Sequence, residues 1–179
     1  MNGPAKLQEL FVEGLKDAFF AQKLVLRSLK KMATQAISAE LRAALEAHLG
    51  ETQRQVERLL RIFDEIGWPD EIDDPVRGET YDAIVDVVDD TRQAIDALLG
   101  PHAIDSAIAA SAQAVQRYQI ARYGLLRAWA QQLGLLNAAR LINETLQEET
   151  RSERMFGQFA DRNLERVQVC EPASFALAS

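Results

Sequence analysis

Four stretches of about thirty residues each carry one apolar stripe in steps of three and four, and this limits the fold more than any other feature of the sequence. The first, from about Ala5 to Gln35, has its seam at Phe11, Leu15, Ala18, Gln22, Val25, Leu29 and Met32. That is the a/d spacing of a helix packed in a bundle. The second, from Ser38 to Gly67, repeats it with Leu41, Leu45, Leu59, Ile62, Phe63 and Ile66. The third, from about Ala103 to Leu133, runs through Ile108, Ala112, Val115, Leu126, Trp129 and Leu133, and the fourth, from about Leu135 to Val167, through Leu135, Ala138, Ile142, Phe156 and Phe159. No sustained period-two run competes with them, so the sequence predicts an all-α fold.

The connections set the topology. Ser38 is a good N-cap close behind Gln35, so the first two helices form an antiparallel hairpin. Gly134 separates the last two just as closely. Between the pairs the rhythm breaks. Trp68-Pro69 reads as a stop, and Pro69, Asp70, Asp73, Asp74, Pro75 and Gly78 as a polar connection. Tyr81, Ile84, Val85, Val88, Ile95, Leu98 and Leu99 then give one more amphipathic helix before Gly100-Pro101. A helix of about 28 residues is about 42 Å long, and a segment of this size can return along that height. Two antiparallel pairs joined by a long crossover carrying an additional helix make a ferritin-like four-helix bundle. The expected domain is residues 1–168, followed by a tail at 169–179 without a clear period.

At 179 residues and 47% hydrophobic, the chain can bury one good core. Its net charge of -7 argues against a nucleic-acid partner or an anionic membrane surface. No apolar run approaches the roughly 18 residues of a membrane span, and the N-terminus lacks a signal-peptide pattern. A cytoplasmic protein is expected. The single cysteine, Cys170, allows no internal disulfide and no cysteine metal cluster. There is no Gly-x-Ser-x-Gly and no phosphate-binding glycine loop, so hydrolase and nucleotide chemistry have no machinery in view. The acidic stretch Asp86 to Asp90 reads as a solvated helix face, and His102 as a loop residue.

The stripe is interrupted by polar residues at one height. Gln22 lies near the middle of the first helix, His48 and Glu51 of the second, Gln119 of the third and Glu149 of the fourth. Gln55 and Arg122 also fall on seam positions. Buried ionisable and amide groups are costly unless bonded to something, so a single polar layer across an apolar bundle is expected. Two assignments compete for it. Glu51 and Glu149 can be a structural pair held by Arg122 or Arg117, with Gln22 and Gln119 completing a polar network. Or His48, Glu51 and Glu149 can be metal ligands, since carboxylate-bridged di-iron and di-manganese sites are built at this place in such bundles. Tyr118 and Tyr123 are candidates to line a pocket beside it.

At these residues the chain resembles a known family. Asp17-Ala-Phe-Phe-Ala-Gln22-Lys23, His48-Leu-Gly-Glu51-Thr52, Gln116-Arg-Tyr118-Gln119-Ile-Ala121-Arg-Tyr123-Gly124 and Glu144-Thr-Leu-Gln-Glu148-Glu149 are similar to segments of the YciE/YciF family of bacterial stress-response, ferritin-like proteins. The similarity spans roughly residues 7 to 168. It implies a cytoplasmic bundle, a homodimer and a metal site at Gln22, His48, Glu51, Gln116, Gln119 and Glu149. The departures are specific. The family pattern has Glu where this chain has Gln22, and Glu-His-Tyr-Glu where it has Gln116-Arg117-Tyr118-Gln119. Three carboxylates are therefore amides, which offer an oxygen but no charge.

Three functions remain in order of expectation. The first is a structural or interaction protein with a degenerate metal site, no enzymatic activity and no tightly bound cofactor. The second is a binder of one divalent ion, such as Fe, Mn or Zn, in the layer. The third is a di-iron or di-manganese oxidase or peroxide-handling enzyme.

Overall fold

A computed structural model describes residues 3–67, 79–97 and 100–170. These form five α-helices in the order α1 (Gly3–Gln35), α2 (Ala39–Glu65), α3 (Glu79–Ala97), α4 (Pro101–Gln132) and α5 (Leu136–Cys170), and no strand occurs among the described residues. The Trp68-Pro69 stop, the polar connection at 68–78, Leu98 and Leu99, and the tail residues 171–179 lie outside the described residues.

α1 packs on α2, α4 on α5, α2 on α5 and α1 on α4, which closes the four-helix bundle; the crossover helix α3 lies against α1 and α4. Ile84 of α3 is fully buried, while Asp82, Asp86, Asp89 and Asp90 face outward, as expected of a solvated acidic face.

Local chemistry sets the two tight hairpins. Ser38 is extended (φ -74°, ψ 139°) and its hydroxyl accepts from the Leu41 N–H at 3.2 Å, capping α2. The buried Asp105 of α4 reaches the same turn: its carboxylate accepts from the Ile37 N–H at 2.8 Å and the Ser38 N–H at 2.9 Å. Those N–H groups have no helical partner, and a charged acceptor is among the strongest they can find. The start of α4 is thereby tied to the α1–α2 turn. At the other hairpin Gly134 takes φ +74°, a conformation L side chains rarely adopt, and reverses the chain into α5. Along the α4–α5 packing face, a Cβ on Gly157 would lie 2.3 Å from Gln113 Nε2, so a side chain there would make the Gln113 amide move and give up its bond to Glu153.

α4 begins at Pro101, two residues before the expected Ala103, because proline suits the first helical turn, where its missing N–H is not needed. His102 is consequently helical rather than a loop residue, and its Nδ1 lies 3.4 Å from Asn163 Oδ1 of α5.

The apolar core falls into two clusters. One gathers Val25, Leu29, Leu41, Leu45, Ile108 and Phe156 with their neighbours. The other gathers Phe11, Leu15, Leu59, Ile62, Leu126 and Ile142 with theirs. What separates them is the polar layer.

Candidate functional site: a polar layer across the bundle

Each of the four bundle helices contributes to the layer where its apolar stripe is interrupted. Gln22 comes from α1, His48, Thr52 and Gln55 from α2, Gln116 and Gln119 from α4, and Thr145, Glu149 and Ser152 from α5; all are at most 4% exposed. Glu51 is different. Its side chain is 27% exposed, at the rim of the layer rather than inside it. One turn of helix accounts for this: His48, Thr52 and Gln55 share the inward face of α2, and Glu51 sits beside it.

His48 is held on both ring nitrogens. Its Nε2 lies 2.8 Å from the Gln116 amide nitrogen, its Nδ1 3.0 Å from Ser152 Oγ and 3.4 Å from Glu51 Oε2. An amide nitrogen only donates, so in this arrangement Nε2 accepts and Nδ1 carries the proton. The Phe156 ring closes the remaining side, edge-on with centroids 5.8 Å apart. A second chain of bonds starts at Gln22. Its amide nitrogen donates to the Tyr123 hydroxyl and to Gln55 Oε1, both at 2.9 Å. Gln55 in turn donates to Glu148 Oε2 at 3.1 Å. Arg58 clamps Glu148 from outside through two parallel bonds of 2.5 and 2.7 Å, and its Nε lies 3.4 Å from Glu144.

The inner and outer carboxylates are in opposite electrostatic situations. Burial pushes the Glu149 carboxyl above its ordinary range, and the nearby Glu51 and Glu148 reinforce that against His48 and Gln55. Glu51 is held below its ordinary range, chiefly by the His48 hydrogen bond, with Arg151 helping. For Glu148 burial acts upward, but the Arg58 bonds and the Gln55 amide together outweigh it and hold the group low. Arg58 is raised reciprocally, first of all by Glu148. Tyr123, fully buried, is pushed far above the ordinary phenol value by desolvation.

The arginines do not act where the sequence suggested. Arg122 pairs with Asp17 at 2.5 Å, and Arg117, 66% exposed, pairs with Glu153 at 3.0 Å. Arg122 lies at the edge of the seam, where its long side chain reaches the Asp17 carboxylate of α1. Neither of these pairs involves Glu51 or Glu149. The tyrosines also part: Tyr123 is buried against Gln22, whereas Tyr118 is 47% exposed. Five residues apart on a helix, they cannot share a face. In place of Arg117 or Arg122, Glu51 meets Ser152 at 3.3 Å and Arg151 at 3.9 Å, and Arg58 is taken up by Glu148. A cavity of about 470 Å³ opens at the end of the bundle where α1 meets the α4–α5 turn, but its lining, from Gln8 and Phe11 to Leu133 and Leu135, contains no titratable side chain.

Five buried polar atoms of the layer have no hydrogen-bond partner: Gln22 Oε1, Gln116 Oε1, Gln119 Nε2 and both oxygens of Glu149. They test whether a di-metal centre fits. Two divalent cations in a low-dielectric core call for about four carboxylates. This layer offers one buried carboxylate, Glu149, with Glu51 at the rim and Glu148 already neutralised by Arg58. Among the described residues no group of three or more His, Cys, Asp or Glu side chains is arranged to hold a metal ion. The donor set does not fit a di-metal centre. It matches a buried polar layer of amides, hydroxyls and one imidazole.

Five helices with a crossover between two antiparallel pairs, and a polar layer at mid-height, define a ferritin-like helical bundle protein. Residues 6–168 match the family described as a domain of unknown function, DUF892, and the chain belongs to it. It is 30% identical over 160 residues to protein YciF of Escherichia coli K12, covering 89% of this chain and 93% of that protein. The crystal structure of that E. coli stress protein superposes with a TM-score of 0.78, covering 89% of this chain and 98% of the other. YcfI from Rhodopseudomonas palustris, provisionally named a structural protein, is 33% identical with a TM-score of 0.75, over 84% of this chain and 92% of its own. No helix among the described residues is long and apolar enough to cross a membrane.

Proposed function

We propose that this chain is a structural or interaction protein of the stress-response type, built on a ferritin-like scaffold whose metal layer has become a charge-poor hydrogen-bonded network. One observation carries the reading. The fully buried carboxylate of the layer, Glu149, is pushed above its ordinary range by burial, and the other buried side chains of the layer are amides, hydroxyls and the His48 imidazole, which lies 4.0 Å from it. The bonded part of this layer, from His48 to Gln116 and Ser152 and from Gln22 to Tyr123, Gln55 and Glu148, favours one register of the four helices. The names of the relatives, a stress protein and a provisionally structural one, agree with this reading.

A second reading has one observation in its favour. The oxygens of Gln22, Gln116 and Glu149 that have no hydrogen-bond partner are hard donors buried in one layer, the chemistry that a single hard cation would take. Elemental analysis of protein purified without chelator separates the readings. Well under one Fe, Mn or Zn per chain supports the first, one per chain the second, and two per chain a di-metal oxidase. We also read the protein as a cytoplasmic homodimer. Tyr118 and Leu125, seven residues apart on α4 and both more than 40% exposed, leave apolar surface for a second copy. Light scattering at high micromolar concentration that reports a monomer would contradict this.

A further inference from the structure

Two rows of like charge on neighbouring helices share one spacing. On α1, Lys23, Arg27, Lys30 and Lys31 are exposed, and no acidic residue occurs from Ala18 to Ala39. On α3, Asp82, Asp86, Asp89 and Asp90 are exposed, and no basic residue occurs from Glu79 to Thr91. Each row advances by four, three and one, so the two match position by position. They also stand at one height: Ile84, Val87 and Val88 of α3 pack in the cluster that holds Val25, Leu29 and Met32 of α1. The helices run in the same direction, because α4, which follows α3, is tied at its start by Asp105 to the turn that ends α1. Yet among the described residues no ion pair joins the rows or involves any member of either. Lys23 alone rests over aromatic rings, Phe19 at 4.3 Å and Phe20 at 5.8 Å. Elsewhere surface charges do pair, as Arg162 does with Glu40 and Arg140 with Glu144.

We propose that the two rows are the halves of a self-complementary contact between copies of this chain. A two-fold axis parallel to α1 and α3 sets the cation row of each copy against the anion row of the other. Lys23 then stands opposite the partner's Asp82, Arg27 opposite the partner's Asp86, and Lys30 and Lys31 opposite the partner's Asp89 and the partner's Asp90. A two-fold contact requires one patch that complements itself, and adjacent rows of opposite sign and equal spacing are such a patch. Setting α1 on α1 would oppose like charges, which disfavours that arrangement. A basic row in a chain of net charge -7 thus finds its anionic partner in the same chain. Exposed ion pairs contribute little singly and are screened by salt, so the contact is weak and sensitive to ionic strength.

The inference goes beyond the homodimer read from Tyr118 and Leu125, an apolar contact that salt does not screen, and sedimentation velocity of charge-reversed chains keeps the two apart. One variant carries Lys30→Glu with Lys31→Glu, the other Asp89→Lys with Asp90→Lys. All four positions are exposed, so both variants should fold, which circular dichroism checks. Wild-type association should strengthen at least about tenfold as salt falls from about 1 M to about 10 mM, where the screening length grows from about 3 Å to about 30 Å. Each variant alone should lose that gain, because half of every row then meets its own sign. An equimolar mixture should regain it, because each row of one variant meets the opposite sign on the other at every position. Both variants keep a net negative charge, so general attraction does not produce the gain. The mass at about 1 M salt, monomer or dimer, reports on Tyr118 and Leu125, and the gain on mixing reports on the two rows. A mixture no heavier than its components at low salt, or a wild type whose mass does not change with salt, overturns the proposal. If either variant fails to fold, Lys23→Glu with Arg27→Glu and Asp82→Lys with Asp86→Lys provide the same test with the same two outcomes.

Discussion

The two apolar clusters and the polar layer between them are built from the same helices and buried to the same degree, yet they are held together differently. In the clusters every partner is interchangeable chemistry: Leu15, Leu29, Leu45, Ile108 and Leu126 need only to fill space. In the layer each atom needs one particular partner, and five atoms do not find one in the protein. The contrast assigns separate tasks. The clusters supply the bulk of the stability, and the layer fixes which turn of each helix faces which.

The largest effect should come from the clusters. Phe156→Ala removes a fully buried ring that packs in one cluster and also covers the edge of His48. Chemical denaturation should show a loss of about 3–5 kcal/mol. A loss below about 1 kcal/mol would mean that the core adjoining the layer is not close-packed and that the contrast is false. Arg58→Met without metal comes next, at about 2–3 kcal/mol, since it strands a shielded carboxylate whose hydrogen bonds are to a charged group.

Glu149→Gln should have a smaller effect that depends on pH. The folded-state pKa of Glu149 lies above its ordinary value of 4.5. The stability associated with its neutral form is therefore fully present below 4.5 and lost as pH rises through the folded value. At pH 8 the Gln variant should be more stable than the wild type, by about 1–3 kcal/mol, and below pH 4.5 the two should converge. Melting curves at both values check this; a difference that does not change with pH would show that Glu149 is not destabilised by burial.

The fold was readable because periodicity is a local property. Phe11, Leu15, Val25 and Leu29 stand at helical spacing on any helix they form, and the lengths of the connections leave few ways to arrange four helices. The inward placement of Gln22, His48, Gln119 and Glu149 was readable for the same reason. Their partners were not. Tyr123 lies 101 positions from Gln22, and Glu148 lies 90 from Arg58. Arg58 follows Glu57 and sits off the apolar seam, so in the sequence it looks like any solvated arginine. Arg122, which does occupy the seam, turns to Asp17 instead. Long side chains choose partners within several ångströms of their Cα, and helical phase alone does not decide among them.

The most direct test of the account compares the wild type with a chain in which Gln22, Gln116 and Gln119 are all converted to Glu, each melted with and without Mn²⁺. With Glu149, the variant gathers four buried carboxylates around one place. Without metal it should melt lower than the wild type and be less stable at neutral than at mildly acidic pH, because like charges in one buried site cannot all ionise. Mn²⁺ at a hundredfold excess over its dissociation constant should restore about 2.7 kcal/mol to the variant, and should leave the wild-type melting temperature unchanged. A wild type that Mn²⁺ stabilises as strongly as the variant, or a variant indifferent to Mn²⁺, would contradict the account of the layer as a metal site rewritten in amides.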